Sequence, residues 1–189
     1  MRIIALTGGI GSGKSVVSAL LRVMGYPVYD CDSRAKSLMD NSEEIKSQLV
    51  QEFGREAVSP EGVINRRYVA SKVFGNDVAL KRLNGIVHPA VREDLLQWAE
   101  VNGVGRGCVF VETAILRSSN LGEIVDDEWT VAAPHEVRIE RVMRRNGLPR
   151  EAVEARINAQ AAECATAGAK VIVNDGKTAL LPQVARLLV

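Results

Sequence analysis

A glycine-rich stretch near the N-terminus constrains the fold of this chain more than any other feature. Residues 8–15 read GGIGSGKS, follow the apolar residues 3–7 and precede residues 16–24, whose apolar positions have helical spacing. This is the pattern G-x-x-x-x-G-K-[ST] in the strand–loop–helix context that it requires, which argues against an ordinary glycine-rich turn. Glycines let backbone N–H groups approach phosphate oxygens where a Cβ would prevent it. We therefore expect a phosphate-binding loop (P-loop), in which Lys14 reaches the β- and γ-phosphates and the Ser15 hydroxyl ligates Mg²⁺.

Composition is that of an ordinary globular protein. Of the 189 residues, 47% are hydrophobic and 25% are charged, which permits one domain or one core with an inserted lobe. A net charge of +1 gives no general attraction to nucleic acid or to an anionic membrane. Cys31, Cys108 and Cys164 are far apart and form no C-x-x-C pair, which predicts reduced thiols. Because neither a signal-peptide pattern nor a membrane-length apolar run is found, we expect a cytoplasmic protein.

Five short apolar runs predict a parallel β-sheet. They are residues 3–7, 26–29, 108–111, 129–132 and 170–173. Asp30 and Asp32 follow the second run, and Glu112 follows the third. In an open α/β sheet, ligands bind at the carboxyl ends of the strands, so these carboxylates are candidates for the site. One of the two aspartates could instead be the N-cap of a helix predicted over residues 33–39, and the residues alone leave open which one.

A long helical block separates the second and third predicted strands. Residues 41–102 have apolar positions at helical spacing, no convincing strand, and a turn at residues 59–62. This length exceeds one crossover helix, so it predicts an inserted lobe beside the sheet. Pro89 predicts a kink or break just after His88. On general grounds, a histidine at such a point is more often structural than catalytic.

A cluster of arginines follows the fourth predicted strand. Arg138, Arg141, Arg144 and Arg145 lie on one predicted helix, and a second helix is predicted from residue 150 to about Cys164. Such a run of charges usually forms a solvated helix face. Arginine is also suited to a lid that clamps polyphosphate, since it is permanently charged and can bind phosphate oxygens through two donors.

With these features together, the chain resembles the dephospho-coenzyme A kinase family nearly end to end. The matching segments are residues 7–15, the Asp-x-Asp at 30–32, residues 62–66 with 73–74, the block Leu-x-x-Ile-x-His-Pro at 83–89, residues 141–145, Gln160 and residues 174–176. A P-loop alone would indicate only a kinase or another NTPase. The Leu-x-x-Ile-x-His-Pro block makes the resemblance specific.

The resemblance implies an α/β P-loop kinase fold: a five-stranded parallel sheet flanked by helices, with a helical acceptor-binding insert and a helical lid. Residues 1–40 and 103–189 would form the nucleotide-binding core, with the lid at about 138–165. Residues 41–102 would form the insert. The implied reaction is ATP-dependent phosphorylation of the 3′-hydroxyl of dephospho-CoA, the last step of coenzyme A synthesis, with Mg²⁺. The implied partners are small molecules only, with no nucleic acid or membrane, and the expected state is a monomer or small homo-oligomer.

Roles for individual residues also follow from the resemblance. The implied catalytic residues are Lys14, Asp32, Arg141 and Arg145. The implied donor-nucleotide contacts are Gly9, Gly11, Ser12, Gly13, Lys14, Ser15, Val16 and, beside the adenine, Asn174. Asp32 is the implied base, and it contacts the acceptor together with His88. Ser15 is the implied metal ligand.

The sequence departs from the family pattern at two places. Where the family often has Phe-Glu after its third strand, this chain has Arg117-Ser118, and Asn146 stands where the family usually has Asp. Neither change touches the P-loop or Asp32, so we expect activity to survive. Two alternatives are a kinase of the same fold acting on another small molecule or a nucleoside monophosphate, and a nucleotide-binding regulatory module without turnover. The presence of Lys14, Ser15 and Asp32 disfavours the second alternative.

Overall fold

The five apolar runs form one parallel sheet, as the sequence predicts. The computed structural model describes residues 1–160, 163 and 168–189. Its strands are β1 (Arg2–Thr7), β2 (Val28–Asp30), β3 (Cys108–Glu112), β4 (Asp127–Ala132) and β5 (Lys170–Val173). Their order is β2-β3-β1-β4-β5, and each neighbouring pair is parallel. The predicted five-stranded parallel sheet is confirmed.

Strand β1 occupies the centre of the sheet. It pairs with β3 on one side and β4 on the other, and its residues from Ile3 to Thr7 are all buried. A strand that is buried on both faces needs a continuous apolar run, which is what residues 3–6 supply. Since the strand order reverses at β1, the crevice for a ligand is expected at its carboxyl end, directly before the P-loop.

Eight α-helices complete the described chain. They are α1 (Lys14–Val23), α2 (Cys31–Asn41), α3 (Glu43–Phe53), α4 (Arg66–Val73), α5 (Asp77–Asn102), α6 (His135–Asn146), α7 (Arg150–Ala159) and α8 (Leu180–Leu188). The arginine cluster lies on α6, and Gly147 ends this helix with a left-handed φ of 64°. The predicted end of the next helix near Cys164 lies outside the described residues.

The main hydrophobic core lies on the sheet. Trp129 and Phe110 are fully buried, and their ring centroids are 5.0 Å apart. Leu21 of α1 and Val184 of α8 are also fully buried in this cluster. The apolar faces of these two helices therefore attach them to the sheet and hold the start of α1 beside the end of β1.

The chain divides into two compact units. One comprises residues 1–30 and 99–189, and the other comprises residues 31–98. The sequence analysis predicts the boundaries between residues 40 and 41 and between residues 102 and 103. In the structure, α2 belongs to the second unit and not to the first. Leu38 and Met39 explain the difference, because they pack against the second unit's own core. That core is formed by Ile45, Leu49, Ala57, Ile64 and Val69.

Helix α5 corrects one prediction. It runs from Asp77 to Asn102 with Pro89 inside it, so of the predicted kink or break after His88 the break is wrong, and the kink stays a prediction. A proline inside a helix costs about 3 kcal/mol. Val87, Val91 and Leu95 are buried at four-residue spacing on either side of the proline, and their burial offsets this cost. Within the described residues, no helix is both long and apolar enough to cross a membrane.

Candidate nucleotide-binding site

The P-loop takes a shape that depends on glycine, as Gly8 and Gly13 illustrate. Gly8 and Gly13 have φ values of 141° and 95°, in the region that other residues rarely adopt. A Cβ at Gly8 would collide with the carbonyl oxygen of Val131, and one at Gly13 would collide with the side chain of Asn174. The loop therefore fits against the ends of β4 and β5 only because both side chains are absent.

The start of α1 supplies positive charge at the P-loop. The helix begins at Lys14 and has no acidic residue in its first turn, so its N-terminal partial charge is not compensated there. Lys14 donates from Nζ to the carbonyl oxygen of Gly8 at 2.7 Å, which folds its ammonium group back over the loop. Ser15 and Val16 are exposed. Backbone amides, helix dipole and lysine together make an anion site.

Asn174 holds the P-loop through a hydrogen bond to its backbone. Its side chain is buried, and Nδ2 donates to the carbonyl oxygen of Ser12 at 2.8 Å. Arg141 donates from Nη1 to the carbonyl oxygen of Asn174 at 3.0 Å and to that of Ser12 at 3.4 Å. The structure thus brings two predicted site residues together with Ser12. The adenine contact expected of Asn174 stays a prediction.

Helices α6 and α7 form a hairpin, called here the lid hairpin, and it contacts the P-loop. Arg138 donates from Nε to the carbonyl oxygen of Ile10 at 2.9 Å. Sequence reasoning gave Arg138 no role of its own, although its three-residue spacing from Arg141 places both on one helix face. Arg145 instead lies at the exposed end of α6, where its Nε donates to Oδ1 of Asn146 at 2.8 Å.

A cavity of about 220 Å³ opens between the P-loop, the end of β4 and the lid hairpin. It is lined by Gly8, Gly9, Ser12, residues 130–133, Arg138, Ile157, Gln160 and Glu163. Pockets for whole small molecules usually measure about 300–1,000 Å³. This cavity therefore has room for part of a ligand.

Two carboxylates lie side by side at the strand ends. Asp30 of β2 is the register partner of Glu112 of β3, and Glu112 is also the partner of Leu6 in β1. Ser18 of α1 donates from Oγ to Oε2 of Glu112 at 2.6 Å. Sequence reasoning left the roles of both acids open. Their adjacency at the P-loop edge depends on strand order, which no local pattern shows.

The donor set at this edge suits Mg²⁺. Ser15, Asp30 and Glu112 offer hard oxygen ligands, and Mg²⁺ typically takes one or two carboxylates while sharing substrate phosphates. Among the described residues, no group of three or more His, Cys, Asp or Glu side chains could hold a metal alone. The hydroxyls of Thr7 and Ser12 are buried without a partner in the described structure, which favours a site that a polar ligand completes.

Asp32 and His88 belong to the second unit. Helix α2 begins at Cys31, two residues before its predicted start, so Asp32 lies in the first helical turn and is not the N-cap. It is exposed to solvent. His88 is half-buried on α5, directly before Pro89.

Comparison with known proteins distinguishes among the kinases that share this fold. The family model described as Dephospho-CoA kinase matches residues 2–179. The chain belongs to the dephospho-CoA kinase family. A relative named Dephospho-CoA kinase, from Porphyromonas gingivalis, is 39% identical over 188 residues, which cover 98% of this chain and 92% of that one.

Solved structures share the fold of this chain. The crystal structure of TT1252 from Thermus thermophilus has a TM-score of 0.78 and 39% identity, and the match covers 99% of this chain and 94% of that one. A dephospho-CoA kinase from Campylobacter jejuni has a TM-score of 0.65 at 22% identity, over 98% of this chain and 94% of that one. The second match shows a shared fold.

The structure accounts for one departure from the dephospho-CoA kinase pattern. Glu163 accepts hydrogen bonds from the backbone N–H groups of Arg117 at 2.9 Å and Ser118 at 3.1 Å. The side chain of Arg117 donates from Nη2 to Oε2 of Glu128 at 3.1 Å and from Nη1 to the carbonyl oxygen of Glu163 at 3.3 Å. The segment that lacks the usual Phe-Glu is therefore held by hydrogen bonds to Glu163 and by an ion pair with Glu128.

Proposed function

We propose that this protein transfers the γ-phosphoryl group of ATP to the 3′-hydroxyl of dephospho-CoA, giving coenzyme A and ADP. The observation that carries the proposal is the family match over residues 2–179, which spans the P-loop and both compact units. The P-loop geometry supports it, since glycine backbone, helix N-terminus and Lys14 meet at one anion site. This reaction is the last step of coenzyme A synthesis. The proposed metal ion is Mg²⁺, bound together with ATP.

The first unit is proposed to bind ATP. The proposed contacts are Gly9, Gly11, Ser12, Gly13, Lys14, Ser15 and Val16, with Asn174 beside the adenine. Ser15 would hold Mg²⁺, with Asp30 and Glu112 as nearby oxygen ligands, and the ion would neutralise charge on the transferring phosphates. Lys14 would do the same from the protein side. Arg141 is already held at the loop, whereas Arg145 would have to leave its contact with Asn146 to bind phosphate.

The second unit is proposed to bind dephospho-CoA. Asp32 would accept the proton of the 3′-hydroxyl, and His88 would contact the acceptor. A nucleotide with a long pantetheine arm needs a surface that extends beyond its ribose, which a helical unit with its own core can supply. Contacts to remote parts of a substrate contribute binding energy that can be used at the reacting centre. The cytoplasmic location and the monomeric or small homo-oligomeric state stay predictions.

A coupled ADP-release assay with a panel of acceptors tests this function. We expect turnover with dephospho-CoA and little with shikimate or nucleoside monophosphates. Lys14→Ala serves as the chemical control, because it removes the charge at the γ-phosphoryl group without touching the core. It should abolish turnover and leave the melting temperature unchanged. Faster turnover with a nucleoside monophosphate than with dephospho-CoA would contradict the proposed acceptor, and a fully active Lys14→Ala would contradict the proposed ATP site.

A further inference from the structure

Ile10 is the one large apolar residue among the variable positions of the P-loop, which are otherwise Gly9, Gly11 and Ser12. A P-loop binds phosphate through its backbone N–H groups, so phosphate binding gives no reason for an isoleucine here. The structure supplies another reason, because Ile10 packs against the hydrophobic cluster of the lid hairpin. That cluster consists of Ile139, Val142, Val153 and Ile157, with Met143 and Leu148 also packed against it.

Both backbone groups of Ile10 are also bound by the lid hairpin. Gln160, directly after α7, accepts a hydrogen bond from the N–H of Ile10 at 2.7 Å. Arg138 of α6 donates to its carbonyl oxygen at 2.9 Å. The side chain, the backbone N–H and the backbone carbonyl oxygen of Ile10 are therefore all in contact with α6, α7 or the residue that follows α7.

We propose that Ile10 is a positioning residue that couples the conformation of the P-loop to the packing of the lid hairpin. It acts through the hairpin and does not itself bind phosphate, because its N–H is directed to Gln160. Any displacement of the hairpin must break two hydrogen bonds to the loop and expose the Ile10 side chain. Conversely, a ligand that orders the loop must stabilise the hairpin, since coupling between two sites is reciprocal. This inference rests on the proposed ATP site.

Ile10→Ala tests the coupling at the loop, and Val153→Ala tests it from the hairpin. Val153 lies on α7, is fully buried in the cluster and has no place in the proposed ATP site. Both variants should weaken binding of a non-hydrolysable ATP analogue with Mg²⁺ by a factor of about 5–150, the usual range of coupling between sites. The double variant should bind about as weakly as Ile10→Ala, because the same contact is lost only once.

Two controls separate coupling from general destabilisation. Val184→Ala opens a matched cavity in the core of the sheet, on α8, and should leave affinity for the analogue unchanged. Ile10→Val keeps most of the side chain and should restore affinity almost to that of wild type. Calorimetric titration of the full chain measures all five variants, and the KM for dephospho-CoA should stay nearly constant across them.

Hydrogen exchange supplies a readout that a purely structural role would not change. In wild type, the analogue should slow exchange of the amides of α6 and α7, and in Ile10→Ala this protection should be lost. Equal protection in both proteins, or affinity of Ile10→Ala and Val153→Ala within twofold of wild type, would overturn the coupling. If Ile10→Ala fails to fold, Val153→Ala and Ile10→Val still decide the question. Failure of wild type to bind the analogue would instead refute the proposed ATP site.

Discussion

Asp30 and Asp32 stand two positions apart in the sequence but lie in different elements. Asp30 ends β2 beside Glu112, whereas Asp32 is exposed in the first turn of α2. A carboxylate beside a second carboxylate at the P-loop edge is better suited to bind a metal ion. An exposed carboxylate is free to approach a substrate hydroxyl. This difference in position supports the proposed roles of Asp30 as a ligand of Mg²⁺ and of Asp32 as the base.

Asp32→Asn should lower kcat by roughly 10²–10⁴, the usual contribution of a positioned acid or base. Asparagine keeps the shape of the side chain but cannot accept the proton, so ATP affinity should change little. Steady-state kinetics with dephospho-CoA and titration with ATP measure the two effects. Asp30→Asn is the matched comparison, and it should alter the dependence of the rate on Mg²⁺ concentration. If Asp30→Asn alone caused the loss of kcat, the base would be assigned to the wrong aspartate.

At the scale of elements, one ion pair joins the beginnings of β4 and β5. Lys170 donates from Nζ to Oδ2 of Asp127 at 2.6 Å, and Asp127 Oδ1 accepts from the backbone N–H of Glu128 at 2.9 Å. Burial of the Asp127 carboxyl tends to raise its pKa, but the hydrogen bond and the charge of Lys170 outweigh burial and hold the pKa below its ordinary value. The edge strand β5 is therefore attached more firmly when Asp127 is ionised.

This ion pair predicts a pH dependence of stability. Because the pKa of Asp127 is lower in the folded than in the unfolded chain, its contribution is complete above the unfolded value of about 3.9 and is lost as pH falls through the folded value. Asp127→Asn should lower the free energy of unfolding at pH 7 by about 1 kcal/mol or less, since Lys170 is 40% exposed. Urea unfolding of both proteins between pH 7 and pH 3 measures this difference, which should shrink below about pH 4.

Lys170→Met is the control for that measurement. It removes the partner charge, so the variant should show the same reduced stability at pH 7, and adding Asp127→Asn should then have little further effect. A difference between wild type and Asp127→Asn that stays constant down to pH 3 would show that the ion pair does not hold β5.

At the scale of the molecule, each compact unit has its own hydrophobic core. Leu21 is fully buried on the sheet in the first unit, and Leu49 is fully buried in the core of the second. Replacing a buried leucine by alanine typically costs about 2–5 kcal/mol, and the loosening is greatest in the unit that carries the cavity. The two leucines therefore offer the same chemical change in the two units.

Leu49→Ala should raise the KM for dephospho-CoA and leave ATP affinity within about twofold of wild type, whereas Leu21→Ala should mainly weaken ATP binding. The reason is that Leu21 lies on α1, the helix that begins in the P-loop, whereas Leu49 lies in the unit proposed to bind dephospho-CoA. Val184 shares the core of Leu21 but lies on α8, which does not carry the loop, so its cavity should not have the same effect. ATP titration and acceptor kinetics, both at a temperature where the variants are folded, measure the effects. Equal effects of both variants on both substrates would contradict the separation of donor and acceptor binding between the units.

Local patterns in the sequence were sufficient to predict the P-loop, the five strands and the arginine helix. Each depends on contacts within a few residues: glycine at a left-handed φ, an apolar run that can be buried on two faces, or the spacing of one helix. Pro89 shows the limit of a local rule. The cost of a proline is local, but the burial of Val87, Val91 and Leu95 that offsets it depends on how the unit packs.

Tertiary structure alone decided which distant groups meet. Strand order places Asp30 beside Glu112, and the path of the chain brings Gln160 to Ile10 and Asn174 to Ser12 across 150 and 162 residues. No periodicity or motif contains these pairings, because they arise from burying helix faces against one sheet. The sequence by itself therefore determined that the chain carries a phosphate-binding loop. The fold determined which side chains hold that loop in place.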